Sequence, residues 1–132
     1  MRTDQGVKCS GASLVTMYQV TFSDQSMGEL NKLDTLSQMD LVESITQLTP
    51  ADLHDLDDRL GKFSRKGKTY YRLRAGDYRI YFEVVDDILY SHVILDKNSM
   101  ADFIFRTKLP FKEEQAIEQH QSFWQYLESL MK

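Results

Sequence analysis

Between Thr69 and Leu95 the apolar residues recur every second position, and this alternation constrains the fold more than any other stretch. In the first run Tyr71 and Leu73 oppose Tyr70, Arg72 and Arg74. Ala75-Gly76-Asp77 supplies a turn, and Asp86-Asp87 supplies a second, tighter one. In the middle run Tyr78, Ile80, Phe82 and Val84 share one face, and Arg79, Tyr81 and Glu83 share the other. The third run, Ile88 to Leu95, is apolar on both faces except at Ser91 and His92, as suits a strand covered on both sides. Two hairpins in succession give an antiparallel meander. Tyr18, Val20 and Phe22 alternate in the same way and can add a fourth strand.

The helical period holds elsewhere. Ser23 or Asp24 can cap a short helix with a Met27, Leu30, Leu33 stripe. Thr35 and Gln38 have capping-box spacing before Leu41, Ile45 and Leu48. Thr49-Pro50 starts a third helix, in which Leu53, Leu56 and Leu60 face inward and Gly61 closes it. Ser99 can cap a short piece holding Met100, Phe103, Ile104 and Phe105. After Pro110 a long C-terminal helix is expected over about 111–131. Its stripe of Ala116, His120, Phe123, Leu127 and Leu130 is broad enough to pack on the sheet or on a second subunit. The fold class is therefore α+β: a small antiparallel sheet of about four strands, N-terminal helices and a long C-terminal helix.

At 132 residues this is one domain, expected over 17–132. Residues 1–16 are polar and aperiodic. They read as an upstream extension or a flexible arm, with Met17 as the natural start. No apolar run is long enough to span a membrane and no signal peptide pattern opens the chain, so a cytoplasmic protein is expected. Cys9 is the single cysteine, and no His/Cys/carboxylate set has ligand spacing. Neither a metal nor another cofactor is expected, and the glycines fit no phosphate loop.

The net charge of −4 conceals a pattern. Residues 1–58 carry ten acids and three bases, a balance of −7. Residues 59–79 carry Arg59, Lys62, Arg65, Lys66, Lys68, Arg72, Arg74 and Arg79 against Asp77 alone, a balance of +7. Residues 80–132 return to −4. An island of that sign focuses a field even on an acidic chain. The alternation puts Arg72 and Arg79 on the same side of neighbouring strands, with Tyr70, Arg74 and Tyr81 near them. Guanidinium forks hold phosphate and aromatics stack on unpaired bases, so this face is expected to be an RNA platform, with Arg65, Lys66 and Lys68 beside it. The opposite face should lie against helices.

The sequence of a helix pair, a basic loop and Lys68-Thr69-Tyr70-Tyr71-Arg72-Leu73-Arg74-Ala75-Gly76-Asp77-Tyr78-Arg79-Ile80-Tyr81-Phe82-Glu83 resembles the RelE/ParE toxin superfamily of bacterial toxin–antitoxin systems. The matching stretch is 62–95, and the flanking elements agree in order from residue 17 to about 106. The resemblance implies a RelE-like fold, a cognate antitoxin and, in the RelE branch, ribosome-associated cleavage of mRNA by attack of a ribose 2′-OH on the adjacent phosphate. Arg79 then matches the phosphate stabiliser and Arg72 a basic residue that activates or holds the hydroxyl. Tyr70 stands where that branch usually has another lysine. Lys97 can supply the charge expected after the last strand. The aromatic acid expected near the end falls among Phe103 and Phe105, which exchange no proton; the general acid stays open between His92 in the strand and His120 in the final helix, and His92 joins Arg72, Arg79 and Lys97 as a catalytic candidate.

The ParE branch implies instead a toxin that binds DNA gyrase without catalysis. A third alternative is a toxin-derived module that has lost its activity and only binds a partner. A homodimer through the C-terminal helix is a further expectation.

Overall fold

The computed structural model describes residues 17–110 and 113–131. The proposed extension at 1–16 lies outside them. Five strands form one sheet: β1 (Gln19–Phe22), β2 (Leu60–Arg65), β3 (Lys68–Ala75), β4 (Tyr78–Val85) and β5 (Ile88–Asp96). Their order is β1-β5-β4-β3-β2. Neighbours from β2 to β5 are antiparallel, and β1 runs parallel to β5 from Gln19↔Ile88 to Phe22↔Ser91.

The extra strand is β2, where a helix end was expected. Helix α3 (Pro50–His54) stops early. The Asp57 carboxylate accepts from the Arg59 amide at 2.9 Å, and the Leu60 amide reaches the Asp57 carbonyl at 3.1 Å. That local turn outcompetes another helical turn. Leu60 then enters β2 opposite Leu73. Lys66 and Gly67, both with positive φ, close the β2–β3 hairpin as a two-residue turn that matches strand twist.

One face of the sheet lies on α1 (Asp24–Asn31), α2 (Thr35–Thr46) and α3. Leu30, Leu41, Ile45, Leu48 and Leu53 pack there against Leu73, Ile80, Phe82, Leu89 and Ile94. Three N-caps, Ser23, Asp34 and Thr49, fix the starts of these helices.

The other face is covered too, by α4 (Lys97–Thr107), α5 (Glu114–Glu118) and α6 (Gln121–Leu130). The expected single C-terminal helix is thus two helices with a break at Gln119-His120. The indole of Trp124 donates to the Glu118 carbonyl at 2.6 Å. A continuous helix would give that carbonyl to Ser122. The Ser122 amide donates instead to His120 Nδ1 at 3.1 Å, so His120 is an N-cap rather than part of the apolar stripe. No helix among the described residues is long and apolar enough to cross a membrane.

Candidate functional site

The register pairs Arg72 with Tyr81 and Arg74 with Arg79, so these side chains share one face as expected. That face is not an open platform. Phe63, Tyr81, Val93 and Leu95 on it pack against Met100, Phe103, Ile117, Phe123, Trp124 and Leu127. Tyr81, expected to stack on a base, is fully buried against Phe123, with ring centroids 5.5 Å apart. The apolar stripe of α6 packs on the chain's own sheet through Phe123, Trp124 and Leu127.

The charges are answered from the same segment. Arg72 is 2% exposed. Its Nε donates to both oxygens of Glu118, at 3.1 and 3.3 Å, and its Nη1 to the Arg59 carbonyl at 3.1 Å. The Tyr81 hydroxyl donates to Glu118 Oε2 at 2.6 Å. Burial pushes the Tyr81 phenol well above its ordinary value of 10.0, and the adjacent Glu118 charge adds to this. Burial also raises Glu118; the bond from Tyr81 and the charge of Arg72 oppose that rise without cancelling it.

One turn earlier, Glu114 Oε1 accepts from Arg79 Nε at 3.0 Å and from Arg74 Nη2 at 3.4 Å. Two guanidinium groups share this one carboxylate oxygen. Arg79 also donates to the carbonyls of Gly76 and Tyr78. Glu114 and Glu118 are four residues apart, so α5 aims both at the arginine strands.

The remaining candidates lie apart: Lys97 follows the end of β5 and His92 is at its middle. Lys97 Nζ is 3.7 Å from Asp77 and well exposed, at the end that carries Arg79. His92 Nε2 meets Glu83 Oε1 at 3.0 Å, with Tyr70 and Tyr90 rings 6.0 and 6.4 Å away. The β4–β5 register passes from Tyr81↔Val93 to Phe82↔Ser91, and the bulge at His92 turns it to the α4–α6 side. Four residues of β4 separate Arg79 from Glu83, about 13 Å along the strand. Arg72, Arg79, Lys97 and His92 are therefore not gathered around one point.

Of the other RNA candidates, Arg65 stacks 5.9 Å over the Trp124 ring and Lys66 pairs with Glu128 at 3.2 Å. Tyr70 is half-buried, 5.1 Å from the Trp124 ring. Lys68 is exposed.

The residues that organise this face and were not singled out from sequence are Glu114, Glu118, Glu128, Glu83 and Trp124. A signal existed. Any arginine of the +7 island that is buried needs an acid beside it, and 80–132 carries an acidic surplus, with Glu114 and Glu118 at one-turn spacing.

No family model matches the chain, and no curated protein matches it. Solved structures do. They include the toxin–antitoxin complex RelBE2 from Mycobacterium tuberculosis, with 17% identity, a TM-score of 0.47, and 61% of this chain and 99% of that one covered. The archaeal RelE–RelB complex from Pyrococcus horikoshii OT3 gives 21%, 0.48, 61% and 94% in the same order. The RelB–RelE complex from Methanococcus jannaschii gives 24%, 0.42, 62% and 95%. These chains are similar in fold over almost their whole length to about three fifths of this one. At TM-scores below 0.5 the likeness carries no weight for function.

Proposed function

We propose that this protein is a RelE-like member of a toxin–antitoxin pair that acts by binding a partner protein and no longer cleaves RNA at its arginine face. The observation that carries this reading is the placement of Glu114 and Glu118 on Arg79, Arg74 and Arg72. A phosphate needs a guanidinium with free donors. Arg72 is 2% exposed, and its Nε and Nη1 are held by Glu118 and the Arg59 carbonyl. Exposing it requires α5 and α6 to leave the sheet, and with them the buried Ile117, Phe123, Trp124 and Leu127. At ~1.5–3 kcal/mol for each side chain this costs roughly 6–12 kcal/mol. That rivals the ~5–15 kcal/mol that holds a whole domain together. The C-terminal helices are thus part of the core and not a lid. The partner of the antitoxin kind meets a surface on which most of the +7 island is already neutralised, so exposed Lys68 remains as its basic contact there.

A second reading, the ribosome-associated mRNA endonuclease, is favoured by one observation. Arg79 and Arg74 lie at the rim, with side chains 13% and 40% exposed, and share a single carboxylate. A scissile phosphate that displaced Glu114 would meet both.

Inducible expression in a bacterial host separates the readings, with primer extension on a translated mRNA for wild type, Arg79→Ala and Arg72→Ala. Intact transcripts and co-purification of a small protein encoded beside this gene are expected. Cuts within reading frames that Arg79→Ala abolishes would overturn the binding reading in favour of the nuclease. Growth arrest with intact mRNA and damaged DNA would point to gyrase.

A further inference from the structure

The face of the sheet away from the arginines carries a second polar site. Helix α3 leans over the outer end of the sheet and leaves a groove of about 340 Å³ between itself and β2–β4. The register sets Lys62 directly beside Tyr71, and Thr69 lies one step further along β3. Tyr18, entering β1, and His54, ending α3, complete the polar wall. Leu53 and Val84 supply apolar lining.

This wall is rich in donors. Six of the eight basic residues in 59–79 are occupied: Arg59 by Asp57, Arg65 by the Trp124 ring, Lys66 by Glu128, Arg72 by Glu118, and Arg74 and Arg79 by Glu114. Among the described residues, Lys62 has no carboxylate partner and faces the groove. No hydrogen bond joins the side chains of Tyr18, His54, Lys62, Thr69 or Tyr71 to another described group. The acids nearby are Asp52 and Asp87, which act on the Tyr18 phenol at a distance. Asp52 Oδ2 is already committed to the Thr49 amide and hydroxyl at 2.9 and 3.1 Å. An uncommitted ammonium, three hydroxyls and an apolar floor suit a ligand with an anionic head on a compact apolar body. The volume sits at the small end of the ~300–1,000 Å³ of ligand sites.

We propose that the groove between α3 and β2–β4 binds a small organic anion, a phosphate or carboxylate on a body of about the size of an aromatic ring, with Lys62 as its charge partner. Tyr18, Tyr71 and Thr69 donate to the head, and Leu53 and Val84 pack the body. The site is independent of the arginine face and of what that face does.

The test is amide NMR of the full chain, titrated separately with phenyl phosphate, benzoate and inorganic phosphate, each up to about 10 mM. Saturable shifts confined to Leu53, His54, Lys62, Thr69 and Tyr71 are expected for phenyl phosphate or benzoate, and whichever binds more tightly identifies the head group. Lys62→Gln should weaken that binding by roughly tenfold or more, whereas Lys66→Gln, a cation outside the groove, should leave it within about twofold. Thr69→Val is an independent second variant with the same expected direction, and unchanged thermal midpoints verify that each variant is folded. Three results would overturn the proposal: no saturable shift with either aromatic anion, equal weakening by Lys66→Gln, or inorganic phosphate binding as tightly as the aromatic anions.

Discussion

Removing the Glu118 carboxylate tests the view that the arginine face is a core. Among the described residues, Glu118→Ala deletes the only acidic partner of Arg72, whose side chain is 3% exposed, and the acceptor of the buried Tyr81 hydroxyl. An unpaired buried charge costs about 3–5 kcal/mol, and an unsatisfied buried hydroxyl about 1–3 kcal/mol. The two losses share one carboxylate and do not simply add. A destabilisation of about 4–5 kcal/mol is expected, a large part of a domain's ~5–15 kcal/mol. Trp124, the single tryptophan, sits in this cluster and bonds the Glu118 carbonyl, so its fluorescence reports urea unfolding at the right place. The double variant Arg72→Met with Glu118→Leu removes both charges together and should recover the part of the loss due to the unpaired Arg72, because apolar pairs of similar volume replace buried ion pairs at little cost, leaving the ~1–3 kcal/mol of the unsatisfied Tyr81 hydroxyl. A loss below about 1 kcal/mol in Glu118→Ala would refute the reasoning. So would a double variant no more stable than Glu118→Ala, since the pair would then not be coupled.

Other consequences are open to direct measurement. Gly61→Ala puts a Cβ 3.1 Å from Arg72 Nη2 and from the Phe63 ring, inside a packed cluster, and should cost ~1–3 kcal/mol by chemical denaturation. Gly67→Ala meets no neighbour, but its φ of +79° makes it unfavourable by ~1 kcal/mol, with a matching fall in thermal midpoint. The Asp34 carboxyl is held below its ordinary 3.8 by the Ser37 amide. A depressed acid stabilises the fold above that value and loses its contribution as pH falls through the folded-state value. Asp34→Ala should therefore lower the thermal midpoint at neutral pH and converge on wild type in strong acid.

The alternation from Thr69 to Leu95 determined three of the five strands, because a period of two admits only one set of faces. It also determined which side meets the N-terminal helices: Leu73, Ile80 and Phe82 lie there as their spacing requires. Helix starts were legible at Ser23 and Thr49 because capping is a local hydrogen bond between near neighbours. Where local choices compete, the chain alone was ambiguous. At Asp57–Leu60 a side-chain turn beat one more helical turn and made β2. At Glu118–Ser122 one indole took a carbonyl and split a helix in two.

The state of the arginines was decided only by tertiary structure. Sequence puts Arg72, Arg74 and Arg79 on one face, but whether that face meets RNA or protein depends on groups 35 to 46 residues away. Glu114 and Glu118 could as well have faced solvent. They face the sheet because Ile117, Phe123, Trp124 and Leu127 bury themselves there, and α5 carries the two carboxylates in with them. Hydrophobic burial, which acts without regard to sequence distance, thereby converted a basic strand face into the interior of the protein.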